Sequence, residues 1–287
     1  MPELPEVEVL RRGLNPALQG RKLIRLDILN PSLRWPVSQG LGQHCMGQRL
    51  IEVARRVKYL LFRFPRGAML VHVGMSGTVQ WLETGSALQK HDHVLWQFEG
   101  APLLRFNDPR RFGSVLWLSE DRIAEDSLSK PMEVQVPQRA QALLDGLGLE
   151  PFDPLFSGQH LYRKSRKRRL AVKPWLLSGE PVVGVGNIYA CEALFRAGID
   201  PRRSIGRISL SRYERLAQSI AEVLLEAIAA GGSSLRDFVS SQGHSGAFQK
   251  RHAVYSREGD RCERCGERVK RFIQAQRSSF ACFGCQR

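Results

Sequence analysis

Cys262-Glu263-Arg264-Cys265 is followed, sixteen residues on, by Cys282-Phe283-Gly284-Cys285. Two close pairs at this separation fit a four-thiolate zinc ribbon. The chain opens with no secretory signal, which favours a metal site over disulfides. All four ligand positions come from cysteine. The zinc is therefore expected to be structural, with no open position for a catalytic water. Residues 269–280 read as a hairpin rich in Lys and Arg. Arg277 lies on it, where it can reach a phosphate or remain a solvated charge. The other two cysteines, Cys45 and Cys191, sit in apolar or helical surroundings and read as inert core thiols.

The stretch before the ribbon is helical. Ser211-x-x-Glu214 has the form of a capping box. Leu216, Ile220, Val223, Leu224 and Ile228 then mark one apolar helix face, and Gly231-Gly232 ends it. Further helices are expected over about 170–178 and from Asn187 to Ala197. Gly184-Val185-Gly186-Asn187 is a tight glycine turn entering a helix, where backbone amides can face an anion. The third glycine and the preceding strand of a dinucleotide fold are missing, so that reading is rejected. Residues 231–252 are rich in Gly and Ser with few apolar anchors. They read as a mobile loop over a site, or as a linker. The basic run 163–169 reads as a solvated face, with phosphate contact as the alternative.

The first half of the chain is patterned for strands. Ile24, Leu26 and Ile28 alternate with Arg25 and Asp27. Further runs cover about 48–64, 68–73, 92–98, 103–106 and 113–117. Short strands at this spacing suggest a β-sandwich or barrel, with its boundary in the polar stretch 119–137. Lys58 falls inside one run and can face a cleft or solvent. His91-Asp92-His93 lacks a third metal ligand and is read as structural or phosphate-contacting. Gly74-Met75-Ser76-Gly77 and Arg110-Arg111-Phe112-Gly113 put apolar side chains between glycines at strand ends. Such residues serve as wedges into duplex DNA, although Met75 and Phe112 taken singly suit a core. Residues 3–19 carry Val7, Leu10, Leu14 and Leu18 at helical spacing. Pro16 is expected to bend or shorten that helix and Gly20 to end it.

The chain starts Met1-Pro2-Glu3-Leu4-Pro5-Glu6. Met1 precedes a small residue and is expected to be removed. Pro2 then carries a secondary amine, and an α-amino group titrates near pH 8, so much of it is a neutral nucleophile. Such an amine can hold an electrophilic carbon as an imine. Glu3 and Glu6 offer an acid or base and a partner, and Lys58, wherever it comes near that amine, would depress its pKa. The plainer reading is a helix start, where proline and acidic residues are common. Charge favours a polyanion partner: 43 Lys+Arg against 28 Asp+Glu leaves +15. One zinc on four thiolates would bring this to about +13. No apolar run approaches a membrane span, and 287 residues suffice for about two domains.

Together these stretches resemble the bacterial formamidopyrimidine-DNA glycosylases, also called 8-oxoguanine DNA glycosylases. The resemblance spans nearly the whole chain. It runs through Met1–Glu8, Lys58-Tyr59-Leu60, Gly74–Gly77, His91-Asp92-His93, Asn107–Gly113, Val183–Tyr189 and the four cysteines. It implies an α+β fold with a helix and β-sandwich over 1–131 and a helix–two-turn–helix domain over 132–232. A base-recognition loop and linker over 233–252 and a zinc ribbon over 253–287 would complete it, with DNA in the cleft. It implies Pro2 as nucleophile at C1′, Glu3 as acid, and Glu6 as support for the site and the flipped nucleotide. Lys58, counted with the catalytic residues, would grip phosphate together with His72, Asn187, Tyr255 and Arg277. His91 joins the DNA contacts. Met75, Arg110 and Phe112 would fill the gap left by the extruded base. Ser233, Ser234, Leu235, Arg236, Asp237 and Phe238 would close over the base. The implied partner is double-stranded DNA with oxidised purines or abasic sites, met by a cytoplasmic monomer that uses no membrane. Departures fall at Ser256, where the family often has Gly, at Arg261, where it often has Pro, and at Asp237. Arg169-Leu170 also stands where the family often has Lys-Thr. Within the superfamily, an endonuclease VIII-like preference for oxidised pyrimidines fits the Met75 and Arg110–Phe112 stretches less well. A non-catalytic zinc-ribbon DNA-binding protein is the alternative from another class, and it has no need of a free secondary amine.

Overall fold

The computed structural model describes residues 2–83, 85–119, 148–233 and 240–287. The expected boundary beyond Ser119 and the site candidates Ser234, Leu235, Arg236, Asp237 and Phe238 lie outside the described residues. The chain divides into two compact units, residues 1–145 with 231–246, and residues 146–230 with 247–287.

Helix α1 (Leu4–Leu18) opens the first unit. Glu3 is its N-cap and Glu6 its third residue. Each side chain bonds the other's backbone N–H, a reciprocal capping box. Pro5 sits in the first turn, where a missing N–H costs nothing. Val7, Leu10, Leu14 and Leu18 are all buried, as their spacing predicts. Pro16 lies inside the last turn and the helix runs on to Leu18, so the expected shortening does not occur.

Strands β1 (Leu23–Ile28), β6 (Asp92–Phe98), β7 (Leu103–Asn107) and β5 (Thr78–Leu82) form one antiparallel sheet in that order. Strands β2 (Glu52–Arg56), β3 (Tyr59–Phe64), β4 (Gly67–His72) and β8 (Ser114–Ser119) form the other. Phe62, Met69, Val71 and Val115 from one sheet share a core with Val79, Val94, Trp96, Leu104 and Phe106 from the other, and with the apolar face of α1. This is the expected sandwich. The single run 48–64 is in fact two strands. Val57-Lys58 forms the turn between them, with Val57 at φ 55°. Lys58 therefore stands in a turn and not in a strand. A two-residue turn without Gly, Asn or Asp gives no sequence signal. Short helix α2 (Leu41–Cys45) and strand β5 also passed unread.

The second unit contains α3 (Gly158–Ser165), α4 (Val172–Leu177), α5 (Asn187–Arg196), α6 (Leu210–Ala229) and the hairpin β9 (Lys270–Gln274) and β10 (Arg277–Ala281). Helix α6 starts at Ser209, two residues before the expected cap. Ser211 Oγ lies 3.2 Å from Ser209 Oγ, and no Ser211–Glu214 capping box stands at the helix start. Its apolar face is buried as expected. Arg166 is not a solvated charge. It stacks on Tyr162 and donates to the carbonyls of Ile205, Gly206 and Ile208. Of the few apolar residues in 231–252, Phe248 is fully buried in the helical core.

Below the hairpin, Cys191 and Phe195 of α5 pack with Val254, Val269 and Phe280. Cys45 is also buried, and burial pushes its thiol up to about 12, so both lone cysteines are core residues. Ser256 has φ 59°, a left-handed conformation that glycine adopts without cost.

Candidate functional site

Strand register decides what meets at one end of the sandwich. Tyr59 and Ser114 both pair with His72, and Thr78 and Asp92 both pair with Asn107. The Val57-Lys58 turn, His72, the 74–77 loop, His91 and the 108–113 loop therefore share that end. Helix α1 is aimed at it too. Asn15 Oδ1 accepts from Val53 N–H at 2.6 Å, while Glu8 accepts from Arg55 at 3.1 Å, so the helix N-terminus points toward Val57-Lys58. The structure thus gathers Pro2, Glu3, Lys58, His72, Met75, His91, Arg110 and Phe112.

Pro2 and Glu3 are buried. Glu6 holds them in place with both carboxylate oxygens. Oε2 accepts from Glu3 N–H and Oε1 from Ser233 N–H, each at 2.8 Å. Two turns of helix are tied down further by Glu8. Burial raises the Glu8 pKa, but hydrogen bonds from Arg11, Arg12 and Arg55 outweigh this and bring it down to about 2. Glu8 was not picked out from the sequence. Its signal was the i, i+3 and i, i+4 spacing to Arg11 and Arg12.

Met75 and Phe112 are 40% and 38% exposed, which fits wedges better than core residues. Arg110 stacks over the Phe112 ring at 4.7 Å. Their two loops are pinned by Asp108, which is fully buried. Its carboxylate accepts from Ser76 Oγ at 2.9 Å, Gly113 N–H at 2.8 Å and Arg110 N–H at 3.3 Å. Its carbonyl lies 2.8 Å from His93 Nε2. His93 is thus structural, while Asp92 accepts from Asn107 and Gln89. A Cβ on Gly74 would run into Gly113 N and the Phe112 backbone at 2.7 Å, so glycine is what lets the loops touch. Asp108 was missed as a hub, although Asp before Pro-Arg-Arg is a turn signal.

In the second unit, Gly186 caps α5 and Asn187 is its first residue. Asn187 Nδ2 donates to Ser278 O at 3.0 Å and lies 3.4 Å from Tyr255 Oη. Lys173, fully buried, donates to Asn187 Oδ1, Ser279 Oγ and Ser278 O. Glu192, one turn on, accepts the backbone N–H groups of Ala253, Val254 and Tyr255. Asn187, Tyr255 and the hairpin that bears exposed Arg277 are therefore held as one assembly. The organising roles of Lys173 and Glu192 were not legible, because burial of a charge depends on partners far along the chain.

Cys262, Cys265, Cys282 and Cys285 place their sulfurs within 4.8 Å of one another. The closest pairs are 3.3 and 3.8 Å apart. A tetrahedral ion with bonds of about 2.3 Å to sulfur needs edges of about 3.8 Å. The cluster can hold a metal ion.

Residues 1–115 match the formamidopyrimidine-DNA glycosylase N-terminal domain, and residues 147–239 the formamidopyrimidine-DNA glycosylase H2TH domain. Over 290 aligned residues the chain is 50% identical to the formamidopyrimidine-DNA glycosylase of Paraburkholderia phymatum, covering 100% of both. The chain belongs to the formamidopyrimidine-DNA glycosylase family. Members of this family of known structure share its fold. A Lactococcus lactis Fpg in complex with abasic-site DNA matches with TM-score 0.86 and 31% identity, covering 99% of each chain. A Lactococcus lactis FPG mutant with Fapy-dG-containing DNA matches with TM-score 0.86 and 30% identity, again over 99% of each. Among the described residues, no helix is long and apolar enough to cross a membrane.

His72 yields a pH test of this end of the sandwich. Burial, with the charges of Lys58 and Arg34, pushes it down from 6.5 to about 4. The unfolded chain takes up this proton first as pH falls, so the folded state loses stability between about 6.5 and 4. An NMR titration should show the His72 ring protonating well below 6.5. His72→Gln should lessen the stability lost over that window. A midpoint near 6.5 would contradict the burial and the nearby positive charge.

Proposed function

We propose that this chain is a bifunctional DNA glycosylase and abasic-site lyase that excises oxidised purines, 8-oxoguanine and formamidopyrimidines, from duplex DNA in base excision repair. The observation that carries the reading is Pro2-Glu3 at an ordered helix start, held through Glu6, beside Lys58 and His72. A non-catalytic DNA-binding module has no use for that arrangement.

Removal of Met1 frees the Pro2 amine. Its lone pair attacks C1′ of the damaged nucleotide, and the C1′–base bond breaks with its electron pair leaving on the base, which takes up a proton. Glu3 protonates the sugar oxygen as the ring opens, and the amine is left as an iminium on C1′. That cation acidifies the C2′ proton. Its loss expels the 3′ phosphate, and a second elimination expels the 5′ phosphate. Lys58 and its neighbour His72 supply positive charge and a hydrogen-bonding ring for the flanking phosphates. Phosphate contacts of this kind fix register without reading sequence.

Extrusion of the nucleotide costs about a few kcal/mol in lost stacking. Met75 and Phe112, exposed and backed by the Asp108 hydrogen bonds, are suited to fill the vacated space. Arg110, stacked on Phe112, would meet the orphaned cytosine. His91 would contact DNA from the same end of the sandwich. In the second unit, Asn187, Tyr255 and Arg277 form a further phosphate clasp. Ser233, with Ser234, Leu235, Arg236, Asp237 and Phe238, is assigned to reading the base.

The four cysteines suit zinc, which would cross-link the ribbon and so fix the hairpin that carries Arg277. The proposed organisation is a catalytic sandwich over 1–131, a helical domain over 132–232, the base loop and linker over 233–252 and the ribbon over 253–287. The protein is taken to act in the cytoplasm as a monomer.

The test is incubation with a duplex carrying one 8-oxoguanine opposite cytosine. The expected products are free 8-oxoguanine and a gap with phosphate on both ends. Pro2→Gly should slow base release sharply. Tight binding with an intact strand and no released base would reduce the protein to a damage binder. Elemental analysis should find one zinc per chain, lost together with DNA affinity when Cys265 and Cys282 are both replaced by alanine. Disulfides among the four cysteines would contradict the ribbon.

A further inference from the structure

Gly13 stands in the interior of α1, where glycine is disfavoured relative to alanine, so its place needs a packing reason. The reason is Ser241. A methyl group at Gly13 would lie 3.6 Å from Ser241 Cβ but far inside contact with Ser241 Oγ. Ser241 is buried, and its carbonyl accepts from Trp81 N–H at 3.0 Å. Trp81 belongs to β5, an outer strand of its sheet. Around it the chain forms a tight knot, with Ser240 N–H bonded to His244 O and Gly243 N–H to Ser240 O. Where the segment 231–246 leaves and returns, Gly246 packs against the carbonyls of Gly231 and Gly232, too closely to admit a side chain.

The contacts of α1 have a simple geometry. Glu6, which takes Ser233 N–H, and Gly13, which seats Ser241, are seven residues apart and share a helix face. Glu8 and Asn15, which bind Arg55 and Val53 of β2, are also seven apart. At about 100° per residue, the Glu6–Gly13 line lies about 200° from the Glu8–Asn15 line. Strand β2 therefore grips one side of α1 and the returning segment the other.

We propose that the Gly13–Ser241 seat is the second point of a clamp that sets the position of α1, and hence of the Pro2 amine at its start. Gly13 and Ser241 are positioning residues for the attack on C1′. On the side away from β2, the Glu6 contact holds one point of the helix. The seat lies about 10 Å further along the axis and holds a second. This inference rests on the glycosylase reading, but the seat itself can be tested without it.

The experiment uses the full-length protein and Gly13→Ala. Alanine favours the helix, so loss of α1 cannot account for a defect. Borohydride trapping on a duplex with one abasic site should slow about tenfold to a hundredfold, the scale of a small misplacement of a reacting group. KM for that duplex and the melting temperature should hold. The double variant G13A/S241A exchanges the hydroxyl for the methyl and should regain most of the rate. Amide exchange at Trp81 should quicken in Gly13→Ala and recover in the double variant. Trapping by Gly13→Ala at the unsubstituted rate would overturn the proposal, as would a defect that Ser241→Ala does not relieve. If the unsubstituted protein traps nothing, the glycosylase reading fails, and Trp81 exchange still decides whether the seat exists.

Discussion

A chain end is the part of a protein least expected to hold still. Chemistry on an N-terminal amine requires the opposite, because a loosely held nucleophile forfeits the gain from orientation. Here the constraint is met by one carboxylate. Glu6 takes Glu3 N–H with one oxygen and Ser233 N–H with the other, and so binds residue 3 to a part of the chain 230 residues away. The capping box makes that hold part of helix formation itself. The helix is in turn fixed to β2 by Glu8 and Asn15.

In each unit, buried polar groups frame others nearer the surface. Asp108 is wholly buried, and what it supports is the exposure of Met75 and Phe112. Lys173 is wholly buried, and what it supports is Asn187 and the strand after Arg277. A buried charge is tolerable only when its hydrogen bonds are made. Loss of one partner would be felt by every group in the frame. The net charge of +15 acts at longer range, drawing a polyanion to the protein without choosing where it is cut.

How much of this was legible follows from where each signal lives. Helix α1, the apolar face of α6 and the four cysteines have fixed spacing, and all three stand where the sequence puts them. The pattern at 48–64 hid a turn because Val57-Lys58 carries none of the usual turn residues. The cap falls at Ser209 and not Ser211, although no Glu or Gln stands three residues after Ser209 to signal it. Phe248 stands in a stretch with few apolar residues, and its burial depends on what lies across from it and not beside it. Pro2, Lys58, Met75 and Asn187 could be singled out by residue type. The groups that hold them, Asp108, Glu192 and Ser241, could not, since their partners are distant in sequence.

The proposed nucleophile is the amine of Pro2. It can be located by mass mapping of the borohydride-reduced adduct after digestion of both protein and DNA. Met1 should be absent, and the whole sugar remnant should reside on the peptide beginning at Pro2. A remnant on Lys58, or on any other lysine, would contradict it.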